Sequence, residues 1–188
     1  MTPSYEAQIS KQGNALELRL LSGKLFFNVT KPLASDESME IQTSTMVTGI
    51  RGTSGYVCII DEWTTLLVIL DGKVSVSSFD GAAVLGDGEQ EQVNAGEVAT
   101  LIRTENGCNM EIRKIELEDI PGFVAQEIQK SHELQQRILE DTGLSVEEIV
   151  ASADERLAAD EEEARKAFEP TPTTRRTKRP SRTNNEVE

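Results

Sequence analysis

Short apolar runs separated by turn residues fill residues 16–115. Most of the runs repeat every second residue, as at Leu16, Leu18 and Leu20, which is the period of a strand with one buried face. Turn signals such as "SGK", "DGK" and "ENG" stand between them, and no helical period interrupts the series. About eight strands at this spacing predict a sandwich, a barrel or a β-roll. The runs are "LELRLL", "KLFFNV", "MEIQTST", "GYVCII", "TTLLVIL", "KVSVSS", "EVATLIR" and "MEIRKI".

The pattern becomes helical after Glu118. A first apolar stripe follows Asp119, with Pro121 suited to a first turn and Gly143 to a helix exit. A second begins at Ser145 with the capping-box sequence "SVEE". We therefore predict two amphipathic helices. Each stripe is expected to pack on the β unit or on the other helix, and a coiled coil with another chain is the alternative.

Charge and composition divide the chain into four segments. They are a lead-in (1–15), the β unit (16–115), an acidic helical segment (116–169) and a basic tail (170–188). The net charge of −14 comprises −6 over residues 1–115, −11 over the helical segment and +3 over the tail. An acidic body repels a nucleic-acid backbone, so no nucleic-acid partner is expected for it. The tail has almost no apolar residues and is predicted to be disordered, either solvated or in contact with an anionic lipid, a wall polymer or nucleic acid.

Targeting signals and cysteine patterns are sparse. No apolar run approaches the roughly 20 residues that cross a bilayer, and "MTPSYEAQIS" has no signal-peptide pattern. The two cysteines form neither a disulfide framework nor a CxxC metal site. Cys58 alternates with apolar neighbours and is predicted to be buried, whereas Cys108 in "ENGC" is predicted to be exposed. Their spacing leaves open whether they pair.

The glycine-rich stretch "GIRGTSG" invites comparison with a phosphate-binding loop. It lacks the Lys-Ser/Thr of a P-loop, and it leads into the apolar run "YVCII" and not into a helix. Gly49, Gly52 and Gly55 are therefore predicted to be structural, allowing backbone geometry that a β-carbon forbids. Arg51 is predicted to be a buried or half-buried donor that ties a β corner, and ligand binding is the alternative.

Catalytic patterns are absent from the sequence. His132 is the only histidine, so neither a histidine-rich zinc site nor a supported catalytic triad is expected. Carboxylates are plentiful, but aromatic residues make up 4% of the chain, with Trp63 the one tryptophan. The acidic loop "FDGAAVLGDGEQEQ" lacks EF-hand spacing. We predict no catalytic residue, no cofactor and no metal site.

Three motifs in order resemble the FecR-domain family over about residues 16–115. They are "IRGT" from Ile50, "ILDGKVSV" from Ile69, and "AGE" from Ala95. The resemblance implies a mainly β fold of β-roll, solenoid-like or sandwich-like type, without known catalysis. The glycine pattern and this resemblance together mark the structural-motif residues Gly49, Arg51, Gly52, Thr53, Gly55, Asp71, Gly72, Gly96 and Glu97.

The same resemblance carries expectations about location. The best-known members are membrane regulators that pass a signal from an outer-membrane receptor to a sigma factor. This chain is more similar to stand-alone FecR-domain proteins of Gram-positive bacteria, in which a helical segment begins "EDIPGF", as at Glu118. In those proteins an anchor and further strands precede the matching part. The resemblance implies an extracytoplasmic or membrane-anchored protein whose sequence here is truncated at its N-terminus.

Three functions follow from the sequence. The first is a non-enzymatic sensing or interaction scaffold of the bacterial cell envelope, with a protein partner bound at an exposed edge strand. The alternative is a carbohydrate- or wall-polymer-binding module. An enzyme with a carboxylate-based site is the third, and no positioned acid and base support it.

Overall fold

The computed structural model describes residues 6–31, 33–79, 90–105 and 107–167. More of these residues lie in strands than in helices, which confirms the mainly β prediction. The strands are β1 (Glu6–Gln12), β2 (Ala15–Ser22), β3 (Lys24–Asn28), β4 (Ser38–Gln42), β5 (Met46–Ile50), β6 (Ser54–Ile59), β7 (Thr64–Asp71), β8 (Lys73–Ser78), β9 (Glu91–Asn94), β10 (Glu97–Thr104) and β11 (Gly107–Lys114). The helices are a 3-10 turn (Leu117–Asp119), α1 (Gly122–Lys130), α2 (His132–Thr142), α3 (Val146–Ala151) and α4 (Ala153–Ala167).

The strands form two sheets that face each other. Sheet A has six strands in the order β1-β2-β4-β5-β8-β9, and sheet B has five in the order β11-β10-β7-β6-β3. Only β2 and β4 pair in parallel within the described strands. The chain crosses between the sheets at single glycines or short turns, as at Gly23 and Gly72. The β unit is therefore a sandwich whose chain passes repeatedly from one sheet to the other.

One apolar core fills the space between the sheets. Its fully buried side chains come from alternate positions of both sheets, as the period of two requires. Among them are Leu20, Ile41 and Met46 of sheet A and Leu67, Ile69 and Leu101 of sheet B.

A second core lies on the outer face of sheet B, where the helices pack. Val68 and Leu70 of β7 belong to this core together with Val124, Ile128 and other buried helical residues. Sheet B is thus covered on both faces. This arrangement confirms that the helical stripes pack on the chain's own β unit.

Each predicted helix is divided in two. Ser131 is extended (φ −128°, ψ 102°) and separates α1 from α2, where its side chain accepts a hydrogen bond from the Leu134 amide. Ser152 separates α3 from α4. Gly143 ends α2 with a φ of 69°, as expected of a helix exit. Ser145 precedes α3 but its side chain makes no capping bond, so the predicted capping box is not formed.

The structure describes part of the predicted lead-in but not the predicted tail. β1 lies inside the predicted lead-in, 1–15, and pairs with β2 along its length. The predicted disordered tail, 170–188, lies outside the described residues. In the described part of the chain, no helix is long and apolar enough to cross a membrane.

Candidate functional site

The glycine corners of the three motifs meet at one end of the sandwich. Gly72 has a φ of 77°, and a β-carbon there would lie 3.1 Å from the carbonyl oxygen of Gly52. The buried Thr53 hydroxyl donates to the Lys73 carbonyl at 3.0 Å. The amide of Gly96 donates to the Ile69 carbonyl at 2.9 Å. The turns between β5 and β6, β7 and β8, and β9 and β10 are therefore joined into one structure.

A polar cluster lies beneath these turns. Asp71 is 6% exposed, and its Oδ2 lies 3.1 Å from Nη1 of Arg137 on α2. Asn28 Oδ1 accepts from Arg137 Nη2 at 3.0 Å. The hydroxyl of Ser54 lies 2.8 Å from Asn28 Oδ1 and 3.3 Å from Asp71 Oδ2. Arg137 therefore links α2 to β7 and β3 directly, and to β6 through Ser54.

One turn further along α2, two more side chains contact the corners. Asp141 Oδ2 accepts from the Gly72 amide at 3.0 Å. Thr142 lies against Gly96. The Cβ of Thr142 is 3.5 Å from the position that a β-carbon added to Gly96 would occupy. We call the set Asn28, Ser54, Asp71, Arg137 and Asp141 the corner latch, because it fastens the helical segment to the glycine corners.

Burial dominates the electrostatics of the corner latch. It raises the pKa of Asp71 above its ordinary value, and the nearby Asp141 carboxylate raises it further. The Arg137 guanidinium and the Ser54 hydroxyl act in the opposite direction and offset part of the rise. The latch therefore holds a carboxyl group whose ionisation is disfavoured by folding.

The remaining motif residues have separate roles. A β-carbon on Gly55 would lie 2.2 Å from the Val68 carbonyl oxygen, so only glycine permits β6 to approach β7 at this point. Gly49 lies on the open face of β5 with nothing within 4 Å of a β-carbon. Glu97 Oε2 accepts from the backbone and side-chain nitrogens of Asn94 at 2.7 and 3.0 Å, which closes the last turn.

Arg51 is exposed, and the prediction that it is a buried donor is wrong. The positive φ of Gly52 turns the chain so that Thr53 points inward and Arg51 outward. Arg51 lines a shallow, open depression of about 310 Å³ on the outer face of sheet A. Glu40 and Ser75 line the same depression.

The described residues offer little for catalysis. They contain no group of three or more histidine, cysteine or acidic side chains placed to hold a metal ion. His132 is exposed at the start of α2. Cys58 and Cys108 are both free thiols and both half-buried. Trp63, 47% exposed, lies at the tip of the β6–β7 hairpin, and the Arg103 guanidinium stands 4.5 Å from its ring centroid.

A second depression of about 290 Å³ lies between β3, β6 and β7 of sheet B and the helical segment. Lys24, Cys58 and Asp160 line it. The Tyr56 hydroxyl beside it donates to the Asp119 carbonyl. Burial raises the pKa of both the Tyr56 phenol and the Cys58 thiol, so neither is activated as a nucleophile.

Sequence reasoning missed the helical half of the corner latch. Arg137 and Asp141 are spaced i,i+4, which is the spacing of an ordinary pair on an exposed helix face. Nothing in that spacing indicates that both side chains reach the β unit. Only the docking of α2 on β7 brings them to Asp71 and Gly72.

Comparison with known proteins gives one family match. The family model described as FecR protein matches residues 4–75, which confirms the resemblance to that family for this part of the chain. The matched range contains the "IRGT" and "LDGKV" motifs and also β1, which the sequence reasoning had placed outside the β unit. The third motif, at Ala95, lies beyond it. No curated protein matches the sequence significantly.

Two solved structures are similar at low sequence identity. Both are crystal structures of a candidate anti-sigma factor from Parabacteroides distasonis ATCC 8503, at 1.65 and 2.50 Å resolution. The first is 14% identical, with a TM-score of 0.47, and the alignment covers 62% of this chain and 49% of that one. The second is 13% identical, with a TM-score of 0.46 and coverages of 69% and 58%. This chain spans about half the length of those solved structures.

Proposed function

We propose that this protein with a FecR-type region is a non-catalytic regulatory module that acts by binding another protein. The family match supports a regulatory role. The corner latch is the observation that supports a non-catalytic role for the motif. The motif side chains that point inward hold turns and a helix together. Asp71 and Thr53 are buried against their own chain and present no reactive group to a substrate.

The motif residues are proposed to be structural. Gly52, Gly72 and Gly96 all have positive φ angles at the corners where the chain changes sheet. Thr53 and Asp71 fix those corners through hydrogen bonds and an ion pair. Gly55 permits a close strand contact, and Glu97 closes a turn.

The cell envelope is the proposed place of action. This part of the proposal rests on the family resemblance, whose members act outside the cytoplasm or beside a membrane. The partner is then an envelope protein. A partner is expected to contact an open strand edge, since β1 and β3 each end a sheet and have a strand on one side only.

A polymer-binding module is the second candidate function. The depression beside Arg51 supports it, because carboxylate, hydroxyl and guanidinium groups that line it are able to bind sugar hydroxyls. None of the described residues that line it is aromatic, so this lining offers no flat surface of the kind on which sugar rings usually stack.

Affinity capture separates the two functions. The full chain is immobilised and incubated with solubilised envelope fractions of its own organism, and bound proteins are cross-linked and identified. A partner captured at about equimolar ratio by the wild type supports the regulatory proposal. The Arg51→Ala variant serves as the control for the depression. Co-sedimentation with purified wall polymer that is lost in Arg51→Ala, without capture of any protein, contradicts the proposal and favours polymer binding.

A further inference from the structure

The two sheets are staggered, so that one strand of sheet A has no described strand opposite it. β2 continues into β3 through Gly23 alone, which places β3 opposite β2 in the facing sheet. β3 is the last strand of sheet B, whereas sheet A continues beyond β2 with β1. The inner face of β1 therefore extends past the edge of sheet B.

The uncovered face of β1 carries apolar surface. Alternation along the strand puts Ala7, Ile9 and Lys11 on the inner face, and Ala7 packs at the margin of the core between the sheets. Ile9 is 71% exposed, the most exposed of the large hydrophobic side chains in the described residues. We call the space beneath β1 and beside β3 the strand slot.

The edge of β3 has backbone groups ready to pair. Gly23 accepts from the Ile59 amide at 2.9 Å, and the Val29 amide donates to the Thr53 carbonyl at 3.1 Å. These odd-numbered residues point their bonding groups towards β6, so the even-numbered residues between them point theirs the other way. The amides and carbonyls of Lys24, Phe26 and Asn28 therefore face the strand slot.

Local charge differs from the charge of the whole chain. Residues 6–31, which form β1 to β3 and their turns, hold four basic and two acidic side chains, a net charge of +2, while the chain carries −14. A second copy of this chain would bring a strongly negative body to the slot and be repelled by the rest of the molecule. An acidic segment of another protein is attracted to the slot itself.

We propose that an extended segment of a partner protein adds to β3 as a sixth strand of sheet B. Two alternate residues of this segment are apolar and contact Ala7 and Ile9, and the next in the series is acidic and faces Lys11. Main-chain bonds to β3 supply affinity, and the side chains beneath β1 supply specificity. The inference rests on the proposed function, because it names the surface and the kind of segment by which that function is carried out.

The other edge of sheet B, formed by β11, is less open than the edge formed by β3. There β11 is the last strand of sheet B, and its Cys108 and Met110 pack at the margin of the core. Ile112, further along β11, is 39% exposed, about half the exposure of Ile9. The strand slot beside β3 is therefore the larger uncovered apolar surface of the two.

A display library of eight-residue peptides, selected against the immobilised full chain, tests the proposal. We expect enrichment of peptides with two alternate apolar residues followed by an acidic one. Lys24→Pro removes an amide from the slot edge without removing a bond to β6, since proline is tolerated at the first residue of an edge strand. It is expected to weaken the selected peptides by about tenfold, the effect of losing a backbone bond and its alignment.

Four further variants assign the binding to the slot. Lys24→Ala keeps the backbone amide and is expected to bind within about twofold of the wild type. Ile9→Ser is expected to weaken binding several-fold, whereas Ile60→Ser, at another exposed apolar site, leaves it unchanged. Lys11→Glu is expected to weaken the acidic peptides about threefold and to regain the loss when the acidic residue of the peptide is changed to lysine, as for an exposed ion pair.

Several results would overturn the proposal. They are the absence of any enriched pattern, peptides whose binding is indifferent to Lys24→Pro and Ile9→Ser, and self-association of the chain that Ile9→Ser abolishes. The same variants separate this proposal from the proposed function. An envelope partner captured equally by wild type and Lys24→Pro leaves the regulatory function standing and rejects the strand slot, whereas capture of no partner rejects the function.

Discussion

Sheets A and B belong to one sandwich, but their outer faces meet different surroundings. The outer face of sheet B is covered by helices, so four successive residues of β7, Leu67 to Leu70, are fully buried. No such layer lies on the outer face of sheet A among the described residues, and on β2 buried or half-buried residues alternate with exposed ones. The difference teaches that a continuous apolar run in this sequence marks a strand packed on both faces, whereas alternation marks one packed on a single face.

The two sheets differ in role as well as in burial. Sheet B joins the interior of the sandwich to the helices and contains the buried end of the corner latch. Sheet A holds the open depression beside Arg51 and the overhanging strand β1. Substitutions in sheet B are therefore expected to change stability, and substitutions on the open parts of sheet A to change binding.

The largest contrast is expected between two glycines. Gly55→Ala would place a β-carbon 2.2 Å from the Val68 carbonyl and is expected to reduce the free energy of unfolding by at least about 4 kcal/mol. Gly49→Ala, on the open face of sheet A, is expected to change it by less than about 0.5 kcal/mol. Urea denaturation of both variants measures the difference. Equal effects would contradict the assignment of a close strand contact to Gly55.

A second contrast compares leucines on the two outer faces. Leu70→Ala removes a fully buried side chain between sheet B and the helices, and a loss of about 2–5 kcal/mol is expected. Leu21→Ala removes a side chain that is 42% exposed on sheet A, where about 0.5 kcal/mol is expected. Denaturation midpoints of the two variants test the ranking. A similar loss for both would mean that sheet A has a covering layer.

Arg137→Ala tests the corner latch. It leaves the buried Asp71 carboxyl without its ion-pair partner, and a loss of about 2–3 kcal/mol is expected. Hydrogen exchange is expected to quicken in α1 and α2 before it does in sheet A, since the latch fastens helices to corners. Arg113→Ala is the control, because Arg113 is 51% exposed in its pair with Asp119, and about 0–1 kcal/mol is expected.

The smallest effect concerns pH. Folding raises the pKa of Asp71, so its contribution to stability is complete below its unfolded pKa, about 4, and is lost as pH rises through the folded pKa. Arg113 lowers the pKa of Asp119, so that contribution is present above its unfolded pKa and is lost as pH falls through the folded one.

Variants of the two carboxyl groups distinguish these opposite dependences of stability on pH. Relative to wild type, Asp71→Asn is expected to remove a decline in stability above about pH 4, and Asp119→Asn a decline below it. Thermal unfolding across this range measures both. A pH profile of Asp71→Asn parallel to that of the wild type would show that Asp71 is not the buried carboxyl of the latch.

Sequence patterns predicted the alternating and apolar strands better than they predicted the remaining strands and the helix breaks. All eight alternating or apolar runs are strands, because period and turn residues are local properties of the chain. β1, β5 and β9 were not predicted; β1 is almost wholly exposed, and β9 has only four residues. The two helical stripes were recognised, but the breaks at Ser131 and Ser152 were not, since each depends on how the next helix packs.

The motif residues show the same limit to what the sequence could predict. Glycine spacing predicted corners and not a phosphate loop, and the positive φ angles of Gly52, Gly72 and Gly96 agree with corners. Arg51 was assigned to the wrong side of its turn, because one-residue differences in direction are invisible without the backbone. Asp71 was marked by resemblance alone, and its ion-pair partner, Arg137, comes from an element far away in sequence.

The sequence by itself determined the β unit, its turns and the helical segment that follows, since these depend on side-chain period and on residues with restricted or permissive φ. Only the tertiary structure decided that sheet B is covered twice, that α2 fastens the glycine corners, and that β1 extends beyond its facing sheet. Those features arise from contacts between residues far apart in the chain, where burial and paired charges depend on the placement of whole elements.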